Sequence, residues 1–530
     1  MNKLIRGFCS IGSSLLLLGA GLGMFPAAAE ADTYTENGIT YSVISNGAEI
    51  VGAEADSKKL TIPTETDAGD KVRSIAENAF SGCTALEELK IEKGIENIGD
   101  GAFSQCGALK TVNIPDSVTK IGKGAFYYCL ALESLKIPDS VTEIGDYAFS
   151  NCYALREIEL PRGLRTLPAY ALSYDIGLES LKLPDGMQTV SDMSLVNCMS
   201  LKTLELPASL VEISSYAVLS CMGLEEIVVD SANKMYRTND DGCLVTKDAK
   251  TFVLYPAGRN EETAVVPEGI ETVQPYAFSG ALSLKEVRFA NSVKTIGDGC
   301  FADCRMLELV SLPNNLEQIP PSMFANCETL KTVSMPETVK SLGDYAFYCS
   351  GLTEITLPAV LQTVGSYAFC GCNALPAVNV PKTVTSIGDM AFGFRVEQRE
   401  DGSSSPAVDP AFVLHGTPSS AAKSYAQSAG IKFKQHGLDW QTVLIILAAA
   451  AVLLIAVFAV RGRKHKQKPA ESEVPAPEET DPNYTSMFDD ADGEDGDPYD
   501  RSYGFGADED DEDATDDETA DETGADADTE

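Results

Sequence analysis

A unit of 23 residues recurs along most of this chain, and this repeat limits what the chain can fold into. Residues 125–147 read AFYYCLALESLKIPDSVTEIGDY, and related units start 23 residues earlier and 23 residues later. Each unit contains an L-x-x-Φ-x-Φ segment, where Φ is apolar, and this alternation is typical of a strand with one buried face. A single unit cannot bury that face, so the repeat predicts a solenoid of stacked coils. Twelve copies begin at Ala79, Ala102, Ala125, Ala148, Ala171, Ser194, Ala217, Ala277, Cys300, Met323, Ala346 and Ala368.

The consensus L-x-x-L-x-I-P-x-S-V-T-x-I-G-x-x-A-F-x-x-C extends over about residues 60–395. It resembles the BspA-type (treponeme-type) leucine-rich repeat of surface proteins. The resemblance implies a right-handed, curved solenoid with a parallel β-sheet on the concave face. It also implies a cell-surface protein, which in some relatives adheres to host proteins or other microbes. We expect the A-F-x-x-C segments to form short helical turns opposite the sheet, and their phenylalanines to form a buried column.

Departures from the period divide the chain into segments. Residues 230–264 interrupt the array and predict a β-hairpin island, with CLVT and TFVLYP as strands around a KDAK turn. We expect this island to bulge outward without breaking the stack. The predicted segments are an N-terminal β-hairpin cap (30–60), repeats (61–229), the island (230–264), further repeats (265–395), and a loop with a closing cap (396–439).

Both ends of the chain carry membrane-related signals. Lys3 and Arg6 precede an apolar stretch, and Ala27 to Ala29 provide a cleavage site, so residues 1–29 predict a signal peptide. Residues 440–460 contain no charge and, at roughly 31 Å as a helix, are long enough to cross a bilayer. Basic residues follow directly at 461–468 and predict the cytoplasmic side. We therefore predict a single-pass type I cell-membrane protein, with residues 30–439 extracellular and 461–530 cytoplasmic.

The charge of the chain is strongly negative and uneven. The formal net charge is −39, and residues 469–530 contain 26 Asp and Glu against one basic residue, Arg501. Such a segment buries too little apolar surface to order itself, so it predicts a disordered acidic tail. Its aromatic residues are either docking motifs for a basic cytoplasmic partner or low-complexity filler. An acidic chain is a poor match for nucleic acid, which recruits basic patches.

Cysteine fills the fifth position of most copies, which we call the slot. A disulfide or metal ladder is one interpretation, but stacked slots point their Cβ atoms in parallel, and no histidine or C-x-x-C spacing accompanies them. We interpret the slot cysteines as small buried packing residues and expect no metal or cofactor. A bridge involving Cys370 stays open. Asp175 and Ala281 fill two slots, and we assign the other ten to Cys83, Cys106, Cys129, Cys152, Cys198, Cys221, Cys304, Cys327, Cys349 and Cys372.

A second periodic feature is a charge that alternates in sign just before each strand. Stacking would place each acid between two bases, which stabilises the register. We expect this ion-paired ladder to continue across the island. Its members are Glu87, Lys110, Glu133, Arg156, Glu179, Lys202, Glu225, Lys285, Glu308 and Lys331.

The candidate binding residues lie on the predicted concave face and in the island. The face candidates are small or charged, whereas the island candidates are the aromatic and arginine anchors that usually dominate interfaces. On the face they are Ser134, Lys136, Glu157, Glu159, Ser180, Lys182, Thr203 and Glu205; in the island they are Tyr236, Arg237, Phe252 and Tyr255.

Catalysis finds no support in the sequence. The three histidines, His415, His436 and His465, lie outside the repeats, and no G-x-S-x-G, H-E-x-x-H or Walker-type motif is present. The function we predict is a membrane-anchored surface protein that binds or adheres to an extracellular protein or glycan. The alternative is a single-span receptor that signals through its acidic cytoplasmic tail.

Overall fold

The computed structural model describes residues 33–54, 57–398 and 404–435. The predicted signal peptide (1–29), the predicted membrane span (440–460) and the predicted tail (461–530) lie outside the described residues. Within those residues, no helix is long and apolar enough to cross a membrane.

The L-x-x-Φ-x-Φ segments form strands of three or four residues that we call the face column. Neighbouring strands pair in parallel with the repeat spacing, as Ser134 pairs with Glu157. Leu135 is buried while Ser134 and Lys136 are exposed, so the alternating pattern marks the buried side correctly. The strands are Lys59–Ile62, Glu88–Ile91, Thr111–Asn113, Ser134–Lys136, Glu157–Glu159, Ser180–Lys182, Thr203–Leu206, Glu226–Val229, Thr263–Val266, Glu286–Phe289, Leu309–Ser311 and Ala377–Asn379.

A second column of strands, which the sequence did not predict, runs beside the first. It is built from the T-x-I-G segments and is also parallel, as Lys120 pairs with Glu143. Where glycine follows these strands the coils approach closely, because a Cβ on Gly145 would lie 2.4 Å from the Lys123 backbone nitrogen of the preceding coil. The strands are Val72–Ile75, Asn97–Ile98, Lys120–Ile121, Glu143–Ile144, Thr166–Leu167, Thr189–Val190, Glu212–Ile213, Thr272–Val273, Thr295–Ile296, Gln318–Ile319, Ser341–Leu342, Thr363–Val364 and Ser386–Ile387.

The A-F-x-x-C segments are turns, so the expectation of helical turns is wrong. The amide of Phe126 donates to the carbonyl of Ala148 in the next coil, at 2.8 Å. The residue before the cysteine adopts left-handed backbone geometry, with φ of 62° at Tyr128, and such a residue cannot continue a right-handed helix. Among the described residues the one α-helix is Ala421–Ala429, in the closing cap.

Stacked phenylalanines fill the interior, as expected. The rings of Phe80 and Phe103 are 5.0 Å apart, those of Phe103 and Phe126 are 5.3 Å apart, and those of Phe126 and Phe149 are 5.8 Å apart. Leu172 and Leu195 continue the column and are fully buried. A second run of phenylalanines follows the island: Phe278, Phe301, Phe324, Phe347, Phe369 and Phe392.

The island interrupts the stack, so the expectation that it bulges without breaking it is wrong. Its strands Tyr236–Thr238, Leu244–Thr246 and Thr251–Leu254 pair antiparallel in that order, and the last pairs in parallel with Thr272–Val273. Leu244 and Val253 pack against the core of the first repeats, whereas Val245 and Phe252 pack against the core of the second. The island sheet therefore separates two cores and buries one side against each.

Short strands close both ends of the array. The N-terminal cap is an antiparallel meander of Thr33–Glu36, Ile39–Ile44 and Gly47–Ala53, and its last strand pairs in parallel with Val72–Ile75. The closing cap contains the hairpin Phe394–Gln398 and Ser404–Val408, the helix, and strands Val413–Gly416 and Lys432–Gln435. These last two strands extend the face column from Ala377–Asn379.

Candidate functional site

The eight predicted face residues lie on one side of four consecutive face strands. Lys136 forms an ion pair with Glu159, and Lys182 forms one with Glu205 at 3.3 Å. Ser134 lies beside Glu157, and Ser180 lies beside Thr203 in the strand register. All eight face outward; Thr203 and Glu205 are half-buried and the other six are exposed. The structure thus brings the predicted residues together, but it neutralises much of their charge within the protein.

The predicted charge ladder is ion-paired only in part. Lys58 and Lys110 contact Glu87 at 2.9 and 3.0 Å, and their hydrogen bonds lower the pKa of this carboxyl to about 2. Glu262 contacts Lys285 at 2.5 Å. Within the described residues, no ion pair joins the intervening members Glu133, Arg156, Glu179, Lys202 and Glu225.

The ladder also fails to continue across the island, contrary to expectation. Glu262 directly precedes the face strand Thr263–Val266, so it holds the ladder position between Glu225 and Lys285. Two acids therefore follow one another there, and the strict alternation ends at the island.

The slot cysteines are packing residues with one specific contact. The Cys106 thiol donates to the Phe80 carbonyl of the preceding coil at 3.2 Å, and the other interior slots repeat this weak S–H bond. Burial raises the pKa of the Cys106 thiol to about 12, so the thiol stays protonated. The same contact, at 3.0–3.4 Å, is made by Cys129, Cys152, Cys198, Cys221, Cys304, Cys327 and Cys372.

One slot was assigned to the wrong residue. The slot in the copy that begins at Ala346 is filled by Ser350, which is buried and whose hydroxyl lies 3.3 Å from the Cys372 sulfur. Cys349 lies one position earlier, half-buried, with φ of 52°. In the part of the chain that the structure describes, no group of three or more His, Cys, Asp or Glu could hold a metal ion.

The four predicted island residues are mostly interior. Tyr236, Phe252 and Tyr255 are buried, and Phe252 and Tyr255 stack on Phe278. Arg237 is half-buried and donates to the Thr238 carbonyl at 3.3 Å. Tyr236 packs in the core of the first repeats, and Phe252 and Tyr255 pack in the core of the second, so these three side chains hold the island in place.

An open groove of about 600 Å³ lies where the island interrupts the face column. It is strongly acidic, because the one arginine in its lining, Arg259, is already paired with Glu261 at 2.6 Å. Sequence reasoning missed this groove because its lining comes from three separate segments. Its lining residues are Glu225, Glu226, Ile227, Thr238, Asp240, Asp241, Gly242, Arg259, Asn260 and Glu261.

A row of exposed apolar side chains, which we call the apolar stripe, follows the A-F-x-x-C turns of four consecutive coils. Its members Leu130, Tyr153, Ile176 and Met199 hold the same position in successive units, and each is between 38% and 47% exposed. Tyr128 lies beside it, 6.3 Å from Tyr153 between ring centroids. The sequence signal was available: these copies carry large apolar residues directly after the slot, where Cys106 is followed by glycine.

Solved leucine-rich repeat structures are similar to this chain. A leucine rich cell surface protein from Faecalibacterium prausnitzii is 24% identical, with a TM-score of 0.48 and coverage of 68% of this chain and 95% of that chain. A leucine-rich repeat protein from Bacteroides ovatus is 23% identical, with a TM-score of 0.43 and coverage of 76% and 100%. The pneumococcal vaccine antigen PcpA is 22% identical, with a TM-score of 0.48 and coverage of 77% and 99%. No curated protein sequence matches this chain.

The repeat shows to which family this chain belongs. The family model for the BspA type leucine rich repeat region matches residues 56–174, 119–239 and 260–395, which together make up more than half of the chain. The parallel coils, the alternating face strands and the phenylalanine column occupy the same residues. The chain belongs to the BspA-type leucine-rich repeat family.

Proposed function

We propose that this chain is a membrane-anchored cell-surface protein that binds an extracellular protein or glycan through its repeat array. Membership of a family of surface leucine-rich repeat proteins supports a binding or adhesion role. The predicted signal peptide (1–29), the predicted span (440–460) and the basic residues that follow it support anchoring with residues 30–439 outside. Binding, rather than catalysis, is the role that a rigid array without a catalytic motif can serve.

The apolar stripe is the observation that carries this proposal. Contiguous apolar side chains are costly to leave in water, and such patches commonly mark interaction sites. Tyr128 and Tyr153 add the aromatic anchors that dominate binding energy at protein interfaces. The coils hold them in place, so an incoming partner meets a preformed surface and loses little entropy in ordering it.

The test is ligand capture by cells that display the full chain. Displaying cells are exposed to soluble surface proteins and glycans from a candidate host or neighbouring microbe, and bound ligands are identified and quantified. The double variant Tyr128→Ala, Tyr153→Ala should capture several-fold less of the same ligand. Val43→Ala, an exposed apolar substitution in the N-terminal cap, is the matched control. Equal capture by the double variant would exclude the stripe, and no capture above that of non-displaying cells would refute the binding function.

A further inference from the structure

Among the described residues the face column is interrupted at the island, and its strand pairing also lapses between Leu309–Ser311 and Ala377–Asn379. In the regular coils the amide before a face strand donates to the carbonyl 23 residues earlier, as Arg156 donates to Glu133 at 2.9 Å. At the island the next face strand begins at Thr263, 37 residues after Glu226, and these two strands do not pair. The coils still touch at Gly258, whose amide donates to the Leu224 carbonyl at 2.7 Å. Beyond that contact they separate, and the acidic groove lies between them.

The hydrogen-bond pattern shows which backbone groups face this gap. The amides of Glu226 and Asp230 donate back to Lys202 and Leu206, both at 3.0 Å. In a parallel ladder alternate residues bond to the same neighbour, so Ile227 and Val229 direct their amides and carbonyls away from it, toward the gap. In the described residues neither has a backbone partner on that side. Ile227 is itself part of the groove lining.

The strand on the other side of the gap, Thr263–Val266, also directs backbone groups into it. The amides of Glu286 and Ala290 donate to the carbonyls of Glu262 and Val266 at 3.0 Å, so the intervening residues Thr263 and Val265 direct their backbone groups toward the gap. Unpaired strand edges are ready templates for pairing with another chain.

The side chains that flank the gap differ from the rest of the face. The third position of the face strands is polar or charged in the other coils, for example Lys136 and Glu159. Only in the two strands that border the gap is it apolar: Val228 is 41% exposed and Val265 is 53% exposed. The side chains that border the gap can therefore contact an apolar side chain of a partner.

The charge of the groove selects the partner. Glu225, Glu226, Asp240 and Asp241 are exposed and, in the described part of the chain, form no ion pair. Arg259 is engaged by Glu261, so it does not neutralise them. A peptide that enters this groove is favoured if it is basic, because complementary charge steers encounter and sets register.

We propose that a basic, extended segment of a partner protein adds as a strand to the free edge of Glu226–Val229. Its backbone pairs with Ile227 and Val229, a basic side chain lies beside Glu226, and an apolar side chain two residues away covers Val228. This inference rests on the proposed binding function and specifies a mode of recognition for it.

The test measures binding of a labelled octapeptide that repeats Lys-Thr-Val-Thr to the full chain in detergent, by fluorescence anisotropy. We expect saturable binding that falls about tenfold when the lysines are replaced by glutamate, and again when alternate peptide amides are methylated so that they cannot donate. The double variant Glu225→Lys, Glu226→Lys should weaken binding by about tenfold, and Val228→Ser should weaken it several-fold. Glu354→Lys, which changes an exposed glutamate at the equivalent repeat position of another coil, should leave binding unchanged.

Three results would overturn the proposal. Equal binding of the methylated peptide would exclude strand addition, and equal binding by the Glu225→Lys, Glu226→Lys variant would exclude this edge. If neutralising the chain's own basic residues 461–468 raised the peptide affinity, the gap would be occupied by that segment and not by an outside partner. None of these results bears on ligand capture through the apolar stripe. The proposed binding function is therefore tested independently of this inference.

Discussion

Asp175 fills a slot that cysteine fills in neighbouring coils. We expect this carboxyl to make the free energy of unfolding of the array depend on pH. The carboxyl is fully buried between the coils of Cys152 and Cys198. The Cys152 amide donates to its Oδ1 at 2.8 Å, while Oδ2 has no hydrogen-bond partner among the described residues. Burial raises the pKa of Asp175 well above its usual value, because an ionised carboxylate there would lose its water without gaining a cation.

The magnitude follows from proton linkage. The unfolded chain releases the Asp175 proton near pH 3.9, whereas the folded chain retains it at higher pH. The unfolded state then binds fewer protons, so the free energy of unfolding falls by about 1.4 kcal/mol per pH unit between about pH 4 and the raised pKa. Asp175→Asn removes the titrating group. Relative to wild type, the variant should therefore become progressively more stable as the pH rises from about 5, for as long as the folded chain retains the Asp175 proton.

The assay is guanidinium unfolding of the full chain, followed by far-ultraviolet circular dichroism at several pH values. Asp185→Asn, in an exposed turn of the same repeat, is the control and should track wild type at every pH. Asp175→Cys restores the slot residue and should remove the same pH dependence. A difference between Asp175→Asn and wild type that stays constant across this range would show that the folded chain does not hold the proton, and would refute the reasoning.

Three further predictions concern the island, the cysteines and the tail. Tyr255→Phe should stabilise the chain by about 1 kcal/mol in thermal unfolding, because the buried hydroxyl lacks a hydrogen-bond partner among the described residues. Destabilisation would instead indicate that the hydroxyl bonds to a water in the adjoining cavity of about 10 Å³. Slot thiols such as Cys106 should resist an aromatic disulfide reagent in the native chain and react on unfolding, and a count of zero or one thiol in the unfolded, unreduced chain would contradict the packing role. Deletion of residues 469–530 should leave ligand capture unchanged, whereas loss of a downstream cellular response alone would favour a signalling receptor.

The face column could be predicted from sequence because its alternation is long enough to be recognised. Leu132, Leu135 and Ile137 mark the buried side over six residues, and the structure buries all three. The second column was missed because a strand such as Lys120–Ile121 has only two residues, too few to show a period. The A-F-x-x-C turn was misread because its left-handed residue varies in type: it is Gln105, Tyr128 or Asp303 in different coils. No single residue type therefore signals the turn.

Two other differences between prediction and structure arise where the spacing of the copies changes. The units that begin at Ala346 and Ala368 are 22 residues apart, because one residue is missing between the slot and Leu352. Counted back from Leu352 the slot would be Cys349, but the residue that the structure buries there is Ser350. The predicted charge ladder passes from Glu225 directly to Lys285, but in the structure the coil that contains Glu262 lies between them. A repeat pattern predicts the contacts between regular coils, but an insertion changes which coils are neighbours, and only the structure shows the new pairing.

The island shows how an irregularity in the array can leave backbone hydrogen-bonding groups open to a partner. Its insertion removes the backbone bonds that Ile227 and Val229 would make to a next face strand. The loss is tolerated because the island buries apolar residues on both sides, Leu244 and Val253 against one core and Val245 and Phe252 against the other. Where consecutive face strands pair, as Thr203–Leu206 does with Glu226–Val229, their backbone groups are already satisfied by each other. Deviation from the repeat, rather than the repeat, is therefore where a ligand can add hydrogen bonds that the fold does not already make.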